Sequence, residues 1–478
     1  MKINKIEVCD FRGFPGPAVY DFEFGAARNI FVYGENGSGK SSLFRAIQEF
    51  YNTRPGRKPF ADHKNTLAPT CTEGRVTVHY DDGSVHSWQY GAERPLNQPP
   101  TSQTRLSVGC IDYRSLLETN FTQRNEQVNL FDLAINHLLP HRETYVEGTS
   151  RTVRERWNAI GMPYRRTNAA VTKCHRSVDR FNTAFEPLLV PLMEKATTLL
   201  AKFPGPALEI GAAYRPVQYL PAARRLNNQE LILSVRIQGN DLPNHHNILN
   251  EARLSAIGLV IYLSGLLTSV PATSQFPKLL VLDDVLIGLD MANRMPVLQI
   301  LKEDFADWQI ILLTHDRVWY EMVQVEMTGN EWKGYELWLG EDGMTPLHRA
   351  RDGGPDFFLA RARQHLTAND ERASAVYTRA AFEVKVKGYC DDVSVPVPYK
   401  KEARRMTADS FWQAAKARSR KYATDHNPTD LGALNGLFQA VDAAQRVVLN
   451  PLSHSATQPV TRPEIQAAID AVANLRFR

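Results

Sequence analysis

Hydrophobic and polar positions alternate through much of the first 120 residues. The segments "KINKIEV", "NIFVYG", "RVTVHY" and "SVHSWQY" are separated by polar or Gly/Pro turns, as is typical of β-strands. Residues 122–205 lose the alternation and indicate helices, which prolines such as Pro163 and Pro187 interrupt. No heptad repeat is sustained there, so we expect no long coiled coil. The pattern predicts a strand-rich start followed by a short helical insertion.

The second half of the chain contains two continuous apolar runs. "KLLVLDD" and "QIILLTHD" lack alternation, which is typical of parallel strands buried on both faces. Before them, "NEARLSAIG" leads into the apolar segment "LVIYLSGLLTSV", which indicates a helix ending before Pro271. The turn-rich "RDGGPD", residues 351–356, predicts a domain boundary, and the sequence beyond it is mostly helical. We therefore predict an α/β domain over 1–350, with the insertion at 122–205, and an all-α domain over 351–478.

Composition places the chain among ordinary globular proteins. Of its 478 residues, 43% are hydrophobic and 23% charged, and no apolar run is long enough for a membrane span. The five cysteines are scattered and form no CxxC pair, so neither disulfides nor a zinc site is indicated. The N-terminus lacks the apolar core of a signal peptide, and we expect a cytoplasmic protein with no membrane partner.

The net charge of +4 is unevenly distributed. Residues 351–478 contain 19 Lys+Arg and 14 Asp+Glu, a net +5, which leaves −1 for the first 350 residues. The segment 400–421 holds eight basic and two acidic residues. Such a block is consistent with nucleic-acid binding, to RNA or DNA, or with a solvated helix face.

The strongest motif lies in "IFVYGENGSGKSSLFRAI", where residues 34–41 match the P-loop pattern G-x-x-x-x-G-K-[ST] between an apolar strand and a helix. Glycines let backbone N–H groups surround phosphates, and the helix N-terminus adds partial positive charge. Lys40 is predicted to reach the β- and γ-phosphates of ATP, and Ser41 to hold Mg²⁺. The other predicted nucleotide-binding residues of this motif are Gly34, Asn36, Gly37, Gly39 and Ser42.

A P-loop needs an acidic partner at the end of another strand, and "LLVLDDVLIGLD" supplies it. Asp283 is predicted to bind Mg²⁺ through water, with Asp284 beside it and Asp290 after a short turn. In "IILLTHDR", His315 ends the next buried strand. It is predicted either to contact the γ-phosphate or to be structural.

The order GENGSGKSS, NEARLSAIG, VLDDVLIGLD, LLTHD resembles the ABC-type ATPase head of the SMC, RecF and OLD group, over about the first 340 residues. The resemblance implies heads that form a homodimer, or a higher oligomer, around ATP. It implies that Ser255 caps a helix aimed at the other subunit's γ-phosphate; the alternative is a plain N-cap on a buried helix. It further implies that Arg12 contacts nucleotide and that Asp290 links the two sites. Gln123 is implied as a metal contact and His315 as a switch.

Two departures from that group bear on activity. Ala256 and Ile257 stand where many members have two glycines, and Asp284 stands where glutamate usually orients the attacking water. A misplacement of about 1 Å costs about a hundredfold in rate, so we expect Asp284 to catalyse slow hydrolysis, suited to a switch.

The C-terminal domain carries Arg379 and Glu383 at i, i+4 and a distant His454. This arrangement resembles PrrC- and RloC-type anticodon nucleases, in which a helical HEPN-like ribonuclease follows an ABC-type head. The resemblance implies RNA cleavage, with tRNA as target, by these three residues. The spacing from Arg446 to His454 exceeds that of the usual HEPN motif, and the alternative is a helix salt bridge with a turn-capping histidine.

Three functions remain open at this point. The first is a bacterial anti-phage defence ATPase whose nucleotide state controls its own C-terminal ribonuclease. The second is a scaffold ATPase, like the Septu-type PtuA family, that restrains a separate effector nuclease. The third is a RecF-like DNA-repair ATPase whose basic tail binds DNA.

Overall fold

The computed structural model describes residues 1–25, 28–51, 59–66, 71–91, 108–113, 128–161, 167–270, 278–326, 331–340, 346–351, 354–397, 408–449 and 461–478. The chain forms two compact units, Met1–Ala350 and Arg351–Arg478. We call them the head and the helical unit.

Strands occur only in the head among the described residues, apart from the last residue of the final strand. In chain order they are β1 (Ile3–Phe11), β2 (Phe14–Glu23), β3 (Asn29–Gly34), β4 (Arg75–Tyr80), β5 (Val85–Gln89), β6 (Val108–Asp112), β7 (Glu143–Val146), β8 (Thr149–Thr152), β9 (Leu208–Arg215), β10 (Gln218–Leu220), β11 (Arg225–Asn227), β12 (Glu230–Ile237), β13 (Asn240–Asp241), β14 (Leu279–Asp283), β15 (Gln309–Thr314), β16 (Trp332–Leu339) and β17 (Pro346–Arg351).

Helices occur in both units. Those of the head are α1 (Lys40–Tyr51), α2 (Phe131–Leu133), α3 (Val153–Asn158), α4 (Asn168–Phe185), α5 (Leu189–Leu200), α6 (His245–Ile248), α7 (Glu251–Ser269), α8 (Met291–Glu303) and α9 (Arg317–Glu326). Those of the helical unit are α10 (Pro355–Thr367), α11 (Glu371–Asp392), α12 (Ala408–His426), α13 (Leu431–Ala444) and α14 (Arg462–Asn474). Short 3₁₀ or π turns cover Phe60–His63, Ala134–Leu138, Glu186–Leu188, Pro428–Asp430 and Gln445–Leu449.

A six-stranded sheet in the order β17-β16-β3-β15-β14-β6 forms the centre of the head. β3 pairs in parallel with β15 and β16, and β14 pairs in parallel with β15 and β6. Every residue of β14 and β15 is buried, as their apolar sequences require. The prediction of two buried parallel strands is confirmed, and their carboxyl ends meet at one edge of the sheet.

An antiparallel sheet, β2-β1-β4-β5, shares a core with α1 and the central sheet. The buried face of α1 places Leu43, Phe44, Ile47 and Phe50 in this core, because those positions recur at helical spacing. The alternation seen in the sequence therefore corresponds to real strands at β1, β4 and β5.

The insertion is not wholly helical, which corrects the expectation for 122–205. Residues 143–152 form the antiparallel hairpin β7–β8, closed by Glu147 and Gly148 with φ of 47° and 75°. Two successive positive φ values are what the tightest hairpin turns require, and "EG" allows them. The "TYVEGTS" alternation is short, and the helical pattern around it dominates this part of the sequence.

α7 is the one helix in the described residues that is long and apolar enough to cross a membrane by length and composition. Within the head, 67% of its apolar window is buried. Gly265 lies against the backbone of Leu138, where a Cβ would come within 3.0 Å of the Leu138 carbonyl oxygen. The helix is thus packed closely into the larger core of the head.

The helical unit buries its own core, which includes Trp412, Phe438 and Ile469. The Lys385 ammonium donates hydrogen bonds to the carbonyls of Val472 and Ala473 at 3.0 and 2.9 Å, and so closes the C-terminal end of α14. The predicted helical C-terminal region is confirmed for the described residues.

Candidate functional site

The loop between β3 and α1 has the conformation that its glycines predict. Gly37 and Gly39 have φ of 86° and 103°, values that L side chains rarely adopt. A Cβ at Gly34 would collide with the buried Ser38 hydroxyl, so this close approach requires glycine. The loop therefore presents backbone toward the start of α1, at the carboxyl edge of the central sheet.

Lys40 is folded onto this loop. Its ammonium donates hydrogen bonds to the carbonyl oxygens of Gly34 at 2.6 Å and Glu35 at 3.1 Å, and the residue is 5% exposed. Burial lowers the pKa of Lys40, while the nearby carboxylates of Asp284 and Asp283 act in the opposite direction. The lysine side chain is thus held by the carbonyls of the loop itself.

Asp283 ends β14 beside the loop and is 6% exposed. Burial raises the pKa of its carboxyl to about 6, the charges of Asp284 and Asp112 add to the rise, and a hydrogen bond from Ser41 and the charge of Lys40 oppose it. Its Oδ1 is buried with no hydrogen-bond partner among the described residues. A buried carboxylate oxygen without a partner, next to a serine hydroxyl, is a donor set that fits Mg²⁺.

Asp284 and His315 form a pair, although 31 residues separate them. One Asp284 oxygen, Oδ1, accepts a hydrogen bond from the His315 backbone N–H at 3.0 Å and lies 2.8 Å from His315 Nδ1. Asp284 has a φ of 52°, in the left-handed region that Asp and Asn tolerate better than Glu. The structure thus brings together the acid and the histidine that the sequence predicted separately.

Arg12 and Ser42 are connected through the backbone. Arg12 lies in the turn between β1 and β2 with a φ of 48° and an exposed side chain. The next residue, Gly13, donates its N–H to Ser42 Oγ at 3.1 Å. Ser42, predicted to bind nucleotide, therefore also attaches the Arg12 turn to α1.

The expectation that Ser255 caps its helix is wrong. The N-cap of α7 is Asn250, whose side chain accepts a hydrogen bond from the Arg253 N–H at 2.9 Å. Ser255 lies more than one turn into the helix, partly exposed, where its hydroxyl faces Gly288 so closely that a Cβ there would collide with it. Asparagine is as good an N-cap as serine, so Asn250 in "NEARLSAIG" already indicated where the helix begins.

Asp290 is exposed and caps α8, since its Oδ1 accepts from the N–H and the side-chain amide of Asn293 at 3.0 and 2.9 Å. Of the other predicted site residues, Asn36 is exposed in the loop. Gln123 and His454 lie outside the described residues.

Two ion pairs next to the site were not predicted. Asp112, which pairs in register with Asp283 on the neighbouring strand, binds Arg45 of α1 at 2.9 Å. Arg294 binds Asp316 at 2.5 Å, directly after His315. Only tertiary structure brings these residues together, although an acid at the end of β6 was a signal available in "VGCID".

In the helical unit, Arg379 Nε lies 3.1 Å from Glu383 Oε1, and Lys387 lies 3.6 Å from the other oxygen of the same carboxylate. All three are on α11 at i, i+4 spacing; Arg379 and Glu383 are partly exposed and Lys387 is exposed. Arg446 is exposed and donates to the Asp442 carbonyl at 3.2 Å. This is the geometry of a helix salt-bridge series, the alternative that the sequence left open.

Part of the basic segment is structural. Lys416 is buried and donates to both Asp442 oxygens at 3.0 Å, and the Trp412 indole N–H donates to Oδ1 at 2.6 Å. Arg420 bonds Asn435 at 2.8 Å. The segment is therefore not a uniformly solvated basic face, and residues 400–407 lie outside the described part of the chain.

Comparisons with known proteins yield structural matches alone. No family profile matches the chain, and no curated protein matches it. Among solved structures, it is similar to an Smc head bound to the C-winged helix domain of ScpA (TM-score 0.40, 14% identity, covering 74% of this chain and 98% of that one). It is also similar to an Smc head with an extended coiled coil bound to the C-terminal domain of ScpA from Pyrococcus furiosus (0.40, 12%, 77% and 99%).

A third match is the SMC head domain from Thermotoga maritima (TM-score 0.35, 13% identity, covering 74% of this chain and all of that one). Similarity at these levels carries no argument about function, which has to come from the geometry of the site.

Proposed function

We propose that this chain is an ABC-type ATPase that binds ATP·Mg²⁺ at the β3–α1 loop and hydrolyses it slowly. The observation that carries the proposal is the buried Asp283 oxygen without a hydrogen-bond partner, beside Ser41 and Lys40. Most buried carboxylate oxygens are hydrogen-bonded, and one that lies without a partner beside a serine hydroxyl is available to a cation.

Each residue has a defined role in this proposal. Lys40 leaves the loop carbonyls and binds the phosphates, while the Ser41 hydroxyl and the Asp283 carboxylate hold Mg²⁺. The bound cation supplies charge neutralisation at the phosphates. The remaining predicted contacts come from the glycines of the loop, from Asn36 and Ser42, and from Arg12.

Slow hydrolysis follows from the Asp284–His315 pair. Asp284 orients the attacking water, but its side chain is short and its Oδ1 already accepts from His315. The left-handed backbone at position 284 favours Asp over Glu. Since the Asp side chain is one methylene shorter, its carboxylate does not reach the position that a glutamate carboxylate would. His315 in turn senses the phosphate end of the nucleotide and reports it through Asp284.

We also propose that two heads form a homodimer around ATP, in which Ser255 and Asp290 of each subunit act at the nucleotide site of the other. Gln123 is proposed as a metal contact. The ATP state would control a nuclease in a bacterial defence system. In the first form of the proposal, the nuclease is the helical unit itself, which cuts tRNA with Arg379, Glu383 and His454. In the second form, this chain is a PtuA-like scaffold that holds a separate effector nuclease. A RecF-like repair role is the remaining alternative. The helical unit forms a compact unit of its own, which supports an effector or docking role for it.

The test measures ATP affinity and phosphate release for Lys40→Met, Asp284→Asn and, as a control, the exposed Lys421→Met. Lys40→Met is expected to lose ATP binding. Asp284→Asn should bind ATP normally but hydrolyse it at least about a hundredfold more slowly, since the water-orienting group is lost. Unchanged ATP affinity in Lys40→Met would contradict the nucleotide site, and unchanged hydrolysis in Asp284→Asn would contradict the role of Asp284.

A further inference from the structure

Arg12 has a backbone conformation that has to be imposed on it. It occupies the turn between β1 and β2, where the strand register shifts between Cys9 and Phe11. Its φ of 48° lies in the left-handed region, which an arginine does not prefer. The direction of its exposed side chain depends on this conformation, so whatever fixes the turn also determines where the guanidinium points.

The turn is fixed by a segment about 50 residues later. The Arg12 N–H donates to the His63 carbonyl at 2.7 Å, and the Arg12 carbonyl accepts from the Asn65 side-chain amide. Between these contacts, Phe11 and Lys64 form an isolated antiparallel bridge. Both polar backbone groups of Arg12 are therefore bonded to residues 63–65.

This segment is itself anchored in the core. The His63 ring stacks on Phe11 with centroids 5.4 Å apart, and Phe60 packs edge-on against Trp88 at 5.0 Å. Asn65 is 5% exposed, so its amide works from a buried and well-packed position. Phe60, His63 and Asn65 are thus buried next to the turn that carries the exposed Arg12.

We propose that Asn65 is a positioning residue that, by holding the Arg12 carbonyl, aims the Arg12 guanidinium at the phosphates of the bound nucleotide. This rests on the proposed function. An arginine recognises phosphate through paired N–H donors in a fixed plane, so its contribution falls steeply when the backbone beneath it is free to turn. The His63 carbonyl and the Ser42 hydroxyl hold neighbouring atoms of the same turn, but they leave the Arg12 carbonyl to Asn65.

The experiment is a double-mutant cycle on ATP affinity with Arg12→Ala and Asn65→Ala, and with Asn65→Asp as a variant of nearly the same shape that lacks the N–H donor. Asp62→Ala, exposed on the same 3₁₀ turn, is the matched control. We expect Asn65→Ala and Asn65→Asp to weaken ATP binding about tenfold, as Arg12→Ala does. In the Arg12→Ala background, Asn65→Ala should add less than about twofold. Melting temperatures report whether each variant is folded.

The outcomes separate this proposal from the proposed function. Equal losses from Asn65→Ala with and without Arg12 would overturn the positioning role, because Asn65 would then support the site independently. An Asn65→Asp variant that is folded and binds ATP as wild type does would overturn it too. Normal affinity in Arg12→Ala alongside lost affinity in Lys40→Met would reject the positioning role while the ATP site stands. Normal affinity in Lys40→Met would instead reject the ATP site.

Discussion

The head and the helical unit each contain an important buried or partly buried aspartate, and the two are satisfied very differently. Asp442 accepts hydrogen bonds from Trp412 and, through both oxygens, from Lys416. Asp283 is more deeply buried, yet its Oδ1 has no hydrogen-bond partner among the described residues. An unsatisfied buried oxygen costs free energy, so the Asp283 carboxyl is open to a further partner, whereas Asp442 is already bonded within the fold.

The same contrast separates the predicted chemistry of the two units. In the head, Ser41, Asp283, Asp284 and His315 come from distant parts of the sequence and converge at one sheet edge. In the helical unit, Arg379 and Glu383 are neighbours on one helix and pair with each other. Only tertiary folding brings residues from distant parts of the sequence together, whereas an i, i+4 ion pair occurs in many helices. The cluster in the head is therefore the stronger sign of function.

The largest expected effect on stability comes from removing the Asp442 carboxylate. Asp442→Ala leaves the buried Lys416 ammonium and the Trp412 N–H without their acceptor, so the free energy of unfolding should fall by about 3 to 5 kcal/mol. Urea denaturation followed by fluorescence measures this, with Gln413→Ala on the exposed face of α12, the helix that carries Lys416 and Trp412, as the control. ATP affinity should stay unchanged. A loss below about 1 kcal/mol would show that the pair is not structural.

At Asp283, in contrast, removing the carboxylate is expected to increase the free energy of unfolding. Its pKa in the folded state is about 6, above the ordinary carboxyl value near 4, so the folded protein binds this proton more tightly than the unfolded chain does. Wild-type stability should therefore decrease as pH rises from about 4 to 6 and stay reduced above that. Asp283→Asn removes this penalty.

Without nucleotide, Asp283→Asn should be more stable than wild type by up to about 3 kcal/mol at pH 7 to 8, with no difference at pH 4. Its Mg²⁺-dependent ATP binding should be lost. Melting curves across pH, with and without ATP·Mg²⁺, test both points. A variant that is less stable than wild type at pH 8 would mean that Asp283 serves the fold, as Asp442 does.

The smallest effect on stability is expected at Arg379. A partly exposed i, i+4 pair contributes about 0.3 to 0.5 kcal/mol, so Arg379→Ala should leave unfolding almost unchanged. If the helical unit is a ribonuclease, however, the same variant should abolish ATP-dependent cleavage of tRNA. Gel analysis of total bacterial RNA, with Lys387→Ala as the matched control, tests this. Cleavage that persists in Arg379→Ala would leave the pair with a structural role alone.

The sequence predicted what local pattern encodes. The glycines of the 34–41 loop, the apolar runs of β14 and β15 and the acids that follow them were sufficient to predict the β3–α1 loop and the buried parallel strands, because each has a local signature. The hairpin at 143–152 was missed since its alternation is only four residues per strand. The Asn65–Arg12 and Trp412–Asp442 contacts join residues 53 and 30 positions apart, and no periodicity indicates such contacts. The sequence also contained the N-cap residue of α7, Asn250, but the prediction placed the cap at Ser255.

The hydrogen bonds of Lys40 to Gly34 and Glu35 have a further consequence. If the loop binds phosphate as proposed, the Lys40 ammonium has to leave these two carbonyls before it can contact a phosphate. The measured affinity for any phosphate compound then equals the intrinsic affinity multiplied by the fraction of molecules whose lysine has swung free. Under the same proposal, a ligand with several phosphates would recover more of the free energy needed to displace the lysine than a ligand with one, so the loop would select for charge.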